Sequence, residues 1–100
     1  IGVDIESNDR VISNTILDQF CSTEEIRELM TASPSERLEK WMIKEAVSKA
    51  IGDGMSIAKE VQIVGDNAYY QSSIFRLIRH QYERHNIIIA IDHSDSSMDN

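Results

Sequence analysis

The sequence predicts an α+β domain, a small sheet packed on one long helix. Three observations lead there. A short β-prone segment opens the chain at Ile1 to Ile5. A second apolar segment, Asn86 to Asp92, comes late and reads as a buried strand. Between them Ser33-Pro34-Ser35-Glu36 supplies an N-cap, a proline at the first helical position and a glutamate at the third, and so starts a helix that runs to about Ile51. With 100 residues, 41% of them hydrophobic, the chain makes one domain with a thin core, and domains of this size often gain burial by oligomerising.

Taken in order, the first strand is interrupted by Gly2 and ends at the turn residues Ser7-Asn8-Asp9. A short helix is expected over Ile12 to Phe20. Ser22-Thr23-Glu24-Glu25 places a cap three residues before a glutamate and opens a second helix through Met30. Gly52 stops the long third helix. Lys59 to Val64 alternates and reads as a strand. Gly65-Asp66-Asn67 is a turn, and Ala68 to Gln71 a return strand. Ser72 to His85 reads as a helix, with Phe75, Ile78 and Tyr82 on one face and Arg76, Arg79 and His80 off it. The expected order is β-α-α-α-β-β-α-β, a domain over residues 1–93, with residues 94–100 as a polar tail or cut end.

Composition excludes some functions. A net charge of −7 argues against bulk nucleic-acid binding, which needs a basic field. An acidic chain that handles a polyanion must gather its bases locally or use a metal. One cysteine, Cys21, rules out an internal disulfide framework and fits a reducing, cytoplasmic setting. No apolar run is long enough to span a bilayer, and the opening Ile1-Gly2-Val3-Asp4 is not a signal peptide. The missing initiator Met reads as trimming or as a fragment.

Chemistry gathers in three places. Trp41, Glu45 and Lys49 follow one another at i, i+4 and i+8 and share one helix stripe. A tryptophan normally faces a core, so this stripe points to a site at the core's edge. The plain alternative is a surface Glu–Lys pair. Asp4 and Glu6 share one face of the first strand, where two carboxylates repel unless a cation or proton lies between them. The plain alternative is a solvated strand face. Gly52-Asp53-Gly54 is a helix stop, and also a place where a backbone can approach a phosphate closely.

Together these pieces resemble the 4′-phosphopantetheinyl transferase superfamily. Gly2-Val3-Asp4-Ile5-Glu6 looks like the family's G-(I/V)-D-(I/V)-E motif. Trp41-Met42-Ile43-Lys44-Glu45-Ala46-Val47-Ser48-Lys49-Ala50, continued by Gly52-x-Gly54, looks like its W-x-x-K-E-A-x-x-K-A motif. Phe20-Cys21-Ser22-x-Glu24-Glu25 is similar to the stretch between them. The resemblance implies a transferase that moves the phosphopantetheine arm of coenzyme A onto a serine of an acyl or peptidyl carrier protein and releases 3′,5′-ADP. It implies Asp4, Glu6 and Glu45 as magnesium ligands, with Glu6 the third carboxylate of the Sfp-type branch. Lys49 matches the lysine that contacts the phosphates and can take part in proton transfer, and Lys44 a second lysine facing the coenzyme. Gly52 and Gly54 fall at the coenzyme. Arg10 matches a position that docks the acidic carrier protein, with Arg27 a further base for such a patch. His93 is what remains of the S-x-S-H strand end of the smaller holo-acyl-carrier-protein synthases, whose histidine reaches the coenzyme. Asp92 replaces a serine there, and Gly65-Asp66-Asn67 stands where those enzymes carry G-K-P.

Such chemistry suits these residue types. Mg²⁺ prefers six oxygens, which carboxylates, phosphate oxygens and water can fill, and it neutralises charge on a leaving phosphate. Lysines add fixed positive charge. A lysine is a base only if its pKa is lowered; Glu45 or water at the metal is the alternative. The resemblance also implies a homo-oligomer, by analogy a trimer with sites between subunits. Other readings are a transferase domain of a larger synthase, a non-catalytic module binding coenzyme A or a carrier protein, and a structural oligomerisation domain.

Overall fold

In the computed structural model, residues 1–93 are described; the expected polar tail, 94–100, lies outside them. Strand β1 (Gly2–Ser7) is followed by helices α1 (Asn14–Phe20), α2 (Thr23–Leu29) and α3 (Pro34–Ile51). A 3₁₀ segment (Gly54–Glu60) then leads into β2 (Gln62–Val64), β3 (Asn67–Tyr70), β4 (Ser73–Tyr82) and β5 (His85–Asp92). The strands form one antiparallel sheet in the order β1-β5-β4-β3-β2. The fold is α+β, with the long helix laid on the sheet.

Helix boundaries follow the caps. The Ser13 hydroxyl accepts from the Ile16 N–H at 3.2 Å. Ser22 and Glu25 form a reciprocal capping box at the start of α2. Ser33 accepts from the Glu36 N–H, Pro34 starts α3, and Gly52 ends it at φ 90°, a left-handed conformation that favours glycine.

Two expectations are corrected. Residues 73–82 form a strand, not a helix. Phe75 (1% exposed) and Leu77 (5%) point inward, whereas Ile78 and Tyr82 are exposed. The period is two. Phe75 and Ile78, which helical spacing would put together, lie on opposite faces. The bounding turns lack the usual signals: Gln71 and Glu83 hold the positive-φ positions at 52° and 54°, without glycine or asparagine. The other correction concerns Lys59 to Val64. Its strand is confined to Gln62–Val64, because Lys59 and Glu60 complete the 3₁₀ segment that buries Ile57 and Ala58.

The core lies between α3 and the inner sheet face. Leu38, Met42, Ile43, Ala46 and Val47 of α3 join Phe75, Leu77, Ile88 and Ala90 of the sheet, with Ile12, Leu17 and Leu29 beside them. Burying one large aliphatic side chain is worth about 1.5–3 kcal/mol, more than differences in helix propensity, so this face holds α3 in place. Strand β1 comes very close to α3. A Cβ on Gly2 would stand 1.9 Å from the Ala46 carbonyl oxygen and 2.6 Å from the Ala50 nitrogen.

The outer sheet face is apolar too. Val3 and Ile78 flank Ile89 in the register, and Ile5 faces Ile87. Val3 is 40% exposed, Ile5 56% and Ile78 40%.

Candidate active site at the β1–α3 contact

Asp4 and Glu6 occupy the inner face of β1, as their spacing predicts. Helix α3 runs antiparallel to β1 across them. Gly2 meets Ala46 and Ala50, Asp4 meets Lys49, and Glu6 lies with Arg10 near Trp41. The small residues at 2, 46 and 50 let the two backbones approach. That approach brings the strand carboxylate and the helix stripe within reach of each other. The sequence marked Gly2 as an interruption of the strand and as part of a motif but not as this contact, although alanines four apart on the helix signal it.

The centre is an Asp4–Lys49–Glu45 group. Asp4 is only 3% exposed. Its Oδ1 accepts from Lys49 Nζ at 3.0 Å, which also donates to the Val3 carbonyl at 3.2 Å. Lys49 Nζ lies 3.7 Å from the Glu45 carboxylate. Asp4 Oδ2 is buried and finds no hydrogen-bond partner among the described residues. Burial pushes the Asp4 carboxyl up, against the opposing pull of Lys49. Burial also raises Glu45, and the Asp4 charge adds to it. Lys49 is raised in turn, first by its hydrogen bond to Asp4. The site thus holds two carboxylates against one ammonium and favours added positive charge. Lys49 is half exposed, so its ion pairs contribute little to stability.

Glu6 has a different partner. Arg10 Nη1 lies 2.9 Å from each of its carboxylate oxygens. The Arg10 guanidinium stacks 4.3 Å from the centroid of the Trp41 ring, an arrangement that sequence spacing did not reveal. Among the described residues, no three His, Cys, Asp or Glu side chains converge into a metal-holding group. The expected three-carboxylate set is therefore not assembled in this structure. The Asp4–Glu45 pair still fits a hard divalent cation: an unpartnered, buried carboxylate oxygen beside a second carboxylate whose pKa is raised.

Lys44, expected to face the coenzyme, is placed in the interior instead. It is 0% exposed. Its ammonium donates to the carbonyls of Ala58 (2.5 Å) and Val61 (3.0 Å) and pairs with Glu25 at 3.0 Å. Successive helix residues point about 100° apart, which sends Lys44 inward and Glu45 to the site. The buried pair with Glu25 went unseen because its partners come from the α2 cap and the 3₁₀ segment.

Gly52 and Gly54 take positive φ, 90° and 67°, and a Cβ at either would meet nothing within 4 Å. Their backbone is needed for its conformation, not for lack of room. His93 follows β5, and its N–H donates to the Ile74 carbonyl at 3.0 Å. Since Ile88 is the register partner of Asp4, His93 lies about 17 Å further along the strand direction. The structure does not bring it to the carboxylates. Clefts among the described residues lie elsewhere. One of about 620 Å³ runs along Glu24, Lys40, Lys59 and Gln62. Another, about 330 Å³, is lined by Ser35, Glu39, Met42, Arg79 and Asn86.

A buried strand carboxylate facing a Glu–Lys helix stripe is the arrangement that the two motifs encode. The model of the 4′-phosphopantetheinyl transferase superfamily matches residues 1–92, which include both. The chain belongs to this superfamily. No curated protein matches it significantly, and neither does any solved structure. Membership supports phosphopantetheine transfer in general, the activity of a family that uses coenzyme A, a divalent metal and carrier proteins. No helix among the described residues is long and apolar enough to cross a membrane.

Proposed function

We propose that this domain is a magnesium-dependent holo-acyl-carrier-protein synthase: it transfers 4′-phosphopantetheine from coenzyme A to a serine of an apo carrier protein and releases 3′,5′-ADP. The observation that carries this reading is the Asp4–Lys49–Glu45 group with its unpartnered carboxylate oxygen. Asp4 and Glu45 would hold the metal, which supplies positive charge at the pyrophosphate. The serine oxygen attacks the phosphorus nearest the pantetheine, the pyrophosphate bond breaks, and the serine proton passes to a base.

The electrostatics divide the remaining roles. Lys49 has a raised pKa and stays an ammonium, so it acts as fixed positive charge toward the phosphates rather than as the base. The serine proton then passes to Glu45 or to a water beside it. Gly52 and Gly54 offer bare backbone at the C-terminal end of the same helix. Lys44 supports this loop from beneath through Ala58 and Val61, without touching the coenzyme.

A homo-oligomer, by resemblance a trimer, is supported by the apolar outer sheet face, which a second copy can cover. His93 stands far from the carboxylates of its own chain, so we assign it to coenzyme bound at a neighbouring subunit. Arg10, on the rim of the site, suits an acidic carrier protein. The setting is read as cytoplasmic.

The deciding experiment is mass spectrometry of an apo acyl carrier protein incubated with coenzyme A and Mg²⁺. The carrier should gain one phosphopantetheine, and Asp4→Ala and Glu45→Gln should each abolish the gain. A folded protein that binds coenzyme A but modifies no carrier would replace this reading with that of a non-catalytic binding module.

A further inference from the structure

The two rim residues assigned above to metal and carrier are joined to each other. Arg10 Nη1 bridges both Glu6 oxygens at 2.9 Å, and the guanidinium carbon lies over the Trp41 ring, 4.3 Å from its centroid. Trp41 is itself 6% exposed and belongs to the core, so it gives Arg10 a fixed surface to rest on. Glu6 lies two residues from Asp4 on the same strand face, close enough to bear on its charge. Asp4 meanwhile keeps an oxygen without a partner. A carboxylate that could complete the shell is thus present but engaged. The Arg10 side chain is 40% exposed while that of Glu6 is 15% exposed. Nη1 makes both Glu6 contacts, and an incoming carboxylate can approach the guanidinium from solvent.

We propose that Arg10 is a latch on Glu6: it withholds the third carboxylate from the cation site until an acidic partner takes the guanidinium. This rests on the reading of Asp4 and Glu45 as a divalent-cation site, and it couples carrier docking to metal affinity. An acidic protein that draws Arg10 away frees Glu6 to turn toward the unpartnered Asp4 oxygen. The cation is then held by three carboxylates only when the acceptor is present. Arg10 acts here through Glu6 and is a positioning residue.

The test measures Mg²⁺ binding by calorimetry, without coenzyme A and without turnover. It uses the whole chain and the variants Arg10→Met, Glu6→Gln and the double variant. Methionine keeps an unbranched side chain over Trp41. Arg10→Met should tighten Mg²⁺ binding about fivefold, the scale of a partly exposed ion pair. In the Glu6→Gln background the same change should have little effect, because no carboxylate is left to release. Adding apo acyl carrier protein should tighten Mg²⁺ binding to the wild type and not to Arg10→Met. Equal tightening in both backgrounds would show only the removal of a nearby positive charge and would overturn the latch. So would unchanged or weaker binding in Arg10→Met, or no Mg²⁺ binding by any variant. The carrier-modification assay on the wild type decides the transferase reading separately, since Mg²⁺ binding is measured here without turnover.

Discussion

Gly2→Ala tests the claim that close packing of β1 on α3 builds the site. The new Cβ would stand 1.9 Å from the Ala46 carbonyl oxygen, about 1.5 Å short of ordinary contact, and 2.6 Å from the Ala50 nitrogen. Both are backbone atoms inside a helix, so no side chain can swing aside. Either α3 or the start of β1 must move by more than an ångström. Overpacking of this kind costs about 1–3 kcal/mol, and a backbone clash belongs at the upper end. For a domain of this size, ~3 kcal/mol lowers Tm by about 12 °C or more. The same movement separates Asp4 from Lys49, now 3.0 Å apart, and from Glu45. Thermal unfolding followed by circular dichroism reads the first effect, and the carrier-modification assay reads the second. A variant that melts within about 2 °C of wild type and transfers at full rate would refute the reasoning.

The carboxylates predict a pH effect. The pKa values of Asp4 and Glu45 are raised above 3.8 and 4.5 in the fold, so folding favours their protonated forms. Their contribution to stability is greatest below those values and declines as pH rises through the raised pKa values. Glu45→Gln should flatten that decline in denaturant titrations from acid to neutral pH; an unchanged slope would count against it. Lys49 works the other way: its pKa lies above 10.5, so its contribution is complete below that value and disappears as pH climbs through the raised one. Mg²⁺ should raise the Tm of the wild type at neutral pH and much less in acid, where protons occupy the carboxylates; Asp4→Asn should lose the shift. Lys44→Met takes the cation from Glu25, which keeps the Ser22 N–H, and the donor from two buried carbonyls, and should destabilise by about 2–4 kcal/mol in urea. A neutral result there would mean that the buried ammonium is dispensable. Ile89→Lys on the outer sheet face should shift any oligomer toward monomer in sedimentation velocity while leaving α3 helical; an unchanged sedimentation coefficient would remove that face from the interface.

Local rules read much of this protein correctly. Ser22, Ser33, Pro34 and Gly52 act within a few residues of themselves, so the starts of α2 and α3 and the end of α3 could be placed from the chain alone, whereas the Ser13 cap went unread and α1 begins at Asn14 rather than at Ile12. The stripe Trp41, Glu45, Lys49 and the pair Asp4, Glu6 follow from helix and strand periods, and the motifs they form carried the family. Residues 73–82 failed because Phe75, Ile78 and Tyr82 fit a helical period while Phe75 and Leu77 fit a strand. Only pairing with β3 and β5 chose between them, and turns at Gln71 and Glu83 gave no residue signal. The sequence by itself determined which carboxylates and lysines share a face. The tertiary structure decided which of them meet. It set Lys49 between Asp4 and Glu45, bound Glu6 to Arg10, buried Lys44 against Glu25 and left His93 far along the sheet. The reason is distance along the chain. A period fixes direction around one element, whereas a contact between residues forty apart depends on how closely two elements pack, and here that closeness rests on the missing Cβ of Gly2.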